Sequence, residues 1–90
     1  MTQHILKSWP EFFEAIRDGS RTHELRRNDR MFGLGDELLL REYDPHDGSY
    51  SGEELRLIVT SLTSAGVPCA VSDEGLNANF CILSVKAASS

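Results

Sequence analysis

Ninety residues with 40% hydrophobic content support one small core, so a single domain over residues 1–90 is expected. The formal charge of −5 excludes an indiscriminate polyanion binder, which needs many cationic contacts. No run of about 18 apolar residues is present, which excludes a membrane-spanning helix.

The charge is unevenly placed. Residues 1–30 carry six Lys/Arg against five Asp/Glu, and residues 31–90 carry three against nine. A local basic patch on an acidic body suits a selective site. Met1 to Lys7 includes Gln3, His4 and Lys7 and lacks the apolar centre of a secretory leader, which points to the cytoplasm. Cys69 and Cys81 fit no zinc or redox spacing and read as reduced thiols, Cys81 in an apolar, buried run. His4, His23 and His46 fall in separate elements, so neither a metal nor another cofactor is expected.

In chain order, His4 to Lys7 reads as a short strand. Ser8-Trp9-Pro10-Glu11 then carries helix-start signals: Ser8 as N-cap, Glu11 completing a capping box, and Pro10 in the first turn. Trp9, Phe12, Phe13 and Ile16 follow i, i+3, i+4, i+7 spacing, which predicts a buried stripe rather than a base-stacking platform. Gly19 supplies a left-handed cap that ends the helix at Asp18.

Gly19 to Arg30, G-S-R-T-H-E-L-R-R-N-D-R, is the most informative stretch. It holds four arginines, one histidine and two carboxylates. As a strand over Thr22 to Asn28, alternation puts Thr22, Glu24, Arg26 and Asn28 on one face and His23, Leu25 and Arg27 on the other. Glu24 and Arg26 are then same-face neighbours, and a carboxylate-held guanidinium presents a fixed fork of donors to phosphate or a base edge. The same charges also fit a solvated edge strand protected from edge-to-edge pairing. Asn28-Asp29-Arg30 predicts a turn held by local side-chain bonds.

Gly33-Leu34-Gly35-Asp36 reads as a tight connection, and Glu37 to Tyr43 as a strand with Leu38, Leu39 and Leu40 in the core. Asp44 to Gly48 is hairpin-turn chemistry. Residues 53–65 fit either a helix or a strand, and the preceding turn with Ile58-Val59-Thr60 favours the strand. Ser64 to Asn77 reads as a mobile surface loop with room for one helical turn. Phe80 to Val85 predicts the last core strand, and Lys86 to Ser90 a frayed tail. The fold class is therefore α+β, a curled antiparallel β-barrel with one main helix packed on it.

The pattern G-x-[K]-x-x-E-x-R, then G-D before an apolar strand, resembles the ASCH domain of the PUA-like superfamily. Gly19, Arg21, Glu24, Arg26, Gly35 and Asp36 carry it. The wider run W-P-x-F to H-E-L-R-x-N-D-R is similar to a short ASCH-like subfamily of unknown function. His4, Leu6, Lys7, Trp9, Pro10, Phe12, Ile16, His23, Asn28, Asp29 and Arg30 fit it. The resemblance implies a barrel-and-helix cleft that binds RNA or a modified nucleoside or nucleotide. Arg21, His23, Glu24, Arg26, Arg27, Asn28, Asp29 and Arg30 are the expected binding residues, and His4 adds hydrogen bonds or stacking. Some small ASCH proteins hydrolyse N4-acetylcytidine with a set similar to Lys at position 21, Thr at 24 and a distal Glu. Here Arg21 and Glu24 stand there, and arginine does not give up its proton. As a hydrolase the chain would rely on Glu24, Arg21 and His23. The third reading is a protein-interaction module using the acidic half.

Overall fold

A computed structural model describes residues 2–88, apart from the Asp73 side chain. The elements are β1 (Gln3–Ser8), α1 (Pro10–Asp18), β2 (His23–Arg27), β3 (Glu37–Asp44), β4 (Ser49–Ser64), α2 (Ser72–Gly75) and β5 (Phe80–Ala87). The five strands form one curled sheet in the order β1-β3-β4-β5-β2, a half-barrel with α1 against it. The sheet is mixed, which corrects the antiparallel expectation: β1 runs parallel to β3, from Gln3 opposite Glu37 to Ser8 opposite Glu42. The other three pairings are antiparallel. No helix among the described residues is long and apolar enough to cross a membrane.

Residues 53–64 are strand, inside the sixteen-residue β4, and Ala65 is a bend just beyond its end. This strand lies between β3 and β5 and pairs with both, with one register shift in each ladder. Arg41 faces Glu54 but Tyr43 faces Tyr50, so β4 carries extra residues there, with Gly52 at φ 93° absorbing the turn. A second register shift falls between Val59 and Ser61 against β5. These bulges curl the sheet toward closure.

Closure is made by side chains instead of a strand ladder. β1 and β2 are the two sheet edges. Arg26 Nη2 on β2 donates to the Lys7 carbonyl on β1 at 2.9 Å. Arg30 Nη1 donates to the Ile5 carbonyl at 3.3 Å. Two guanidinium groups thus cap acceptors on the open edge of β1, which also blunts it as a pairing template.

The core lies inside the curl and is built by alternation: Leu38 and Leu40 from β3, Leu57 and Val59 from β4, Cys81, Leu83 and Val85 from β5. Leu39, expected in the core with its neighbours, is only half-buried because it faces the other side of β3. Helix α1 covers the core with Phe13 and Ile16. Gly19 ends it at φ 86°, its N–H donating to the Ile16 carbonyl.

Several local expectations need correction. Ser8 is the last residue of β1, not the helix cap; Trp9 occupies the cap position, with no side-chain cap bond. Pro10 holds Trp9 extended (φ −67°, ψ 149°), so strand geometry runs to the helix without a capping turn. Trp9 and Phe12 are 49% and 40% exposed, so only the Phe13–Ile16 half of the predicted stripe is core. The tail continues β5 to Ala87, and the Ala88 N–H donates to the Arg56 carbonyl; residues 89 and 90 lie outside the described part. The Asn28 N–H donates to the Asn79 carbonyl at 2.7 Å, and no local Asn28 or Asp29 side-chain bond to backbone holds that turn among the described residues.

His4 and Asp36 form a buried pair at the far end of β1, Nε2 to Oδ2 2.9 Å apart. The Gly33 N–H also donates to Asp36 Oδ2, and the His4 ring lies 4.7 Å from that of Phe32. The hydrogen bond from His4, aided by backbone N–H groups of Gly33 and Thr2, holds the Asp36 carboxyl below its ordinary range despite its burial. A depressed folded value stabilises the fold fully above the unfolded value, near pH 4, and that stabilisation disappears as pH falls through the folded value. Wild type should therefore lose stability as pH falls below about 4, and Asp36→Asn should lose less over the same interval. Denaturant titrations giving both proteins equal acid slopes would contradict this.

Candidate functional site

Strand β2 alternates as its sequence requires. Glu24 and Arg26 stand opposite Leu83 and Cys81, both buried, and so face the inside of the curl. His23, Leu25 and Arg27 are exposed on the other face. Arg26 Nε donates to Glu24 Oε2 at 2.7 Å, with the side chains 22% and 5% exposed. This is an ion pair on an otherwise apolar interior face. A carboxylate so placed is stable only when paired, because desolvation of a lone charge costs several kcal/mol. Among the described residues, Arg26 Nη1 and Glu24 Oε1 take no partner.

Above the pair opens a cleft of about 290 Å³ where β1 passes into α1. Trp9 and Phe12 form its rim, with ring centroids 6.2 Å apart and planes tilted by 32°. Arg21 lies along it, its guanidinium carbon 4.9 Å from the centre of the Phe12 ring. Lys7, Ser8 and Leu25 complete the lining. Two polar atoms here are buried without a hydrogen-bond partner among the described residues, Ser8 Oγ and Arg21 Nε. Such atoms are rare in folded proteins, and both belong to residues of this cleft.

The expected binding residues divide between two hollows. Arg21, Glu24 and Arg26 share the cleft. Arg26, Arg27, Asp29 and Arg30 line a neighbouring hollow of about 350 Å³ with Leu25, Phe32 and Phe80. Arg27 stacks over Phe80 at 5.8 Å, and Arg30 lies 3.7 Å from the Asp29 carboxylate. Arg26 is common to both hollows. His23 starts β2 opposite Ser84 on the outer face and lines neither; exposed Asn28 lines neither as well. His4 is committed to Asp36. Lys7, Ser8, Trp9 and Phe12 belong to the cleft, and the sequence reading did not place them there. The signal for the aromatics was present in Trp9-Pro10, which ties the helix start to a strand end.

The fold and cleft define a small α+β half-barrel domain whose open seam carries an ion-paired, aromatic-rimmed site. The chain belongs to the DUF3850 family, described as a domain of unknown function, which matches residues 3–85. No curated protein matches it.

Proposed function

We propose that this domain binds RNA or a nucleotide, with one base held in the cleft between β1, α1 and β2. The observation that carries the reading is the exposure of Trp9 and Phe12 at the rim, directly over the Glu24–Arg26 pair. Aromatic faces exposed beside an arginine suit a base, since every base has a stackable face. Glu24 Oε1 is an acceptor for an exocyclic amino group, and Arg26 Nη1 is a donor for a base carbonyl or ring nitrogen. Ser8 Oγ and Arg21 Nε gain partners when a polar ligand enters. The curled sheet with its single main helix supports the PUA-like reading that the ASCH resemblance implies. The two free thiols suit a cytoplasmic setting.

Hydrolysis of a modified nucleoside is the less favoured reading. Of the three residues expected for it, only Glu24 offers proton transfer in the cleft: Arg21 stays protonated, and His23 lies on the opposite face of β2. The binding reading predicts no turnover of N4-acetylcytidine.

Trp9 is the chain's one tryptophan, so its emission reports directly on the cleft. Titration with nucleoside monophosphates or short single-stranded RNA at low salt should quench it saturably. Phe12→Ala should weaken binding by about 1–3 kcal/mol, the value of one base–aromatic stack. Arg17→Ala, on the far side of α1 against Glu14 and Glu53, should leave it unchanged. Equal affinities for wild type and Phe12→Ala would refute the placement of the base.

A further inference from the structure

The β1–β2 seam carries a second feature beside the cleft. A groove of about 330 Å³ runs along it, lined by Lys7, Arg26, Arg30, Arg41 and Tyr50 over Ile5 and Leu6. Four of the chain's nine Lys/Arg residues meet there, and no carboxylate is among the lining residues. The groove lining is thus cationic, with the partner carboxylates Glu24 and Asp29 of Arg26 and Arg30 lying outside it. The cations are held in place. Arg41 stacks on Tyr50 at 4.0 Å, and Lys7 sits over the Tyr43 ring at 4.4 Å. Arg26 and Arg30 are fixed by their bonds to the Lys7 and Ile5 carbonyls. Arg41 keeps a loose contact with Glu54 at 3.4 Å, outside the groove lining. Pre-positioned guanidinium groups lose little freedom on meeting an anion.

The groove and the cleft share Lys7 and Arg26, so they adjoin along the seam and together offer a path for an extended ligand. We infer that this path takes the sugar–phosphate backbone of a single-stranded nucleic acid, with phosphates beside Arg41, Arg30 and Lys7 and a flanking base in the aromatic cleft. The ligand class is then an oligonucleotide, and a free nucleoside occupies only part of the site. The inference rests on the binding reading above and extends it along the seam. A free phosphate explains neither the aromatic rim nor the adjacency of the two pockets. An acidic peptide would meet the cations but not the rim.

The test compares a nucleoside, its monophosphate and a short single-stranded oligoribonucleotide, each with wild type and Arg41→Ala. Arg41 lies outside the cleft lining, so nucleoside binding should be the same in both proteins. The oligoribonucleotide should bind wild type at least tenfold more tightly than the nucleoside. Its log affinity should fall against log salt with a slope of roughly −2 to −3, for three to four phosphate contacts in a single strand. Arg41→Ala should make that slope shallower by about 0.7 and leave the nucleoside unaffected. Arg41→Lys should restore the slope while keeping charge, which separates the charge effect from any fold defect. Oligoribonucleotide affinity equal to that of the nucleoside, with no salt dependence, would overturn the inference and leave the cleft reading standing. Binding of neither would overturn both. An acidic peptide of equal charge that competes as well as the oligoribonucleotide would also overturn it.

Discussion

Arg26→Ala should destabilise the protein by roughly 2–4 kcal/mol and abolish ligand binding. Removing one member of a buried ion pair costs about 3–5 kcal/mol, because the other charge is left without compensation. The part of Arg26 that still meets water lowers this figure. Its second bond, to the Lys7 carbonyl, closes the seam, so the same change also frees the edge of β1. Denaturant midpoints at constant slope would give the loss. A companion variant separates stability from function. Glu24→Leu with Arg26→Met removes both charges and retains apolar volume, and such replacements are often neutral or stabilising. That double variant should regain most of the lost stability and still fail to bind. A loss below about 1 kcal/mol for Arg26→Ala would mean that the pair is solvated and the seam closes by other means.

Phe13→Ala should cost about 3–5 kcal/mol, the range for truncating a fully buried aromatic ring. Phe13 is completely buried and is the principal contact of α1 with the sheet interior. Its neighbour Phe12 has the same side chain one residue earlier, with a different environment. Phe12→Ala should cost the fold far less, because that ring is already 40% exposed. Unfolding of the two variants side by side measures the contrast directly. Equal losses would mean that the rim aromatics are core residues and that the cleft is not a built feature.

The contrast between Phe12 and Phe13 also marks where sequence reading stops. Trp9, Phe12, Phe13 and Ile16 share helical spacing, and spacing alone cannot say how wide a face the sheet will cover. A nine-residue helix over an open half-barrel buries only Phe13 and Ile16, and the margin of the stripe becomes a rim. Strand β2 was legible because its period of two sets charges against charges: Glu24 and Arg26 do pair on one face. The Asp44–Gly48 turn and the strand that follows were legible through local turn chemistry. The parallel pairing of β1 with β3 was not, since α1 and β2 intervene and nothing local records a partner so distant. The same holds for the seam. Arg26 and Arg30 reach carbonyls of Lys7 and Ile5, and a backbone acceptor leaves no mark in the sequence. Ser8 was misplaced for a local reason: the Ser-x-x-Glu pattern is that of a cap, but Pro10 keeps Trp9 extended and leaves Ser8 in the strand.

Because Trp9 stands at the mouth of the cleft and is the chain's one tryptophan, its emission during titration with short single-stranded RNA is the most direct measurement of the central claim. Saturable quenching in wild type, lost in Arg26→Ala and in the Glu24→Leu/Arg26→Met protein, is the predicted result. Unchanged Trp9 emission, with no RNA or nucleotide bound at low salt, would contradict it.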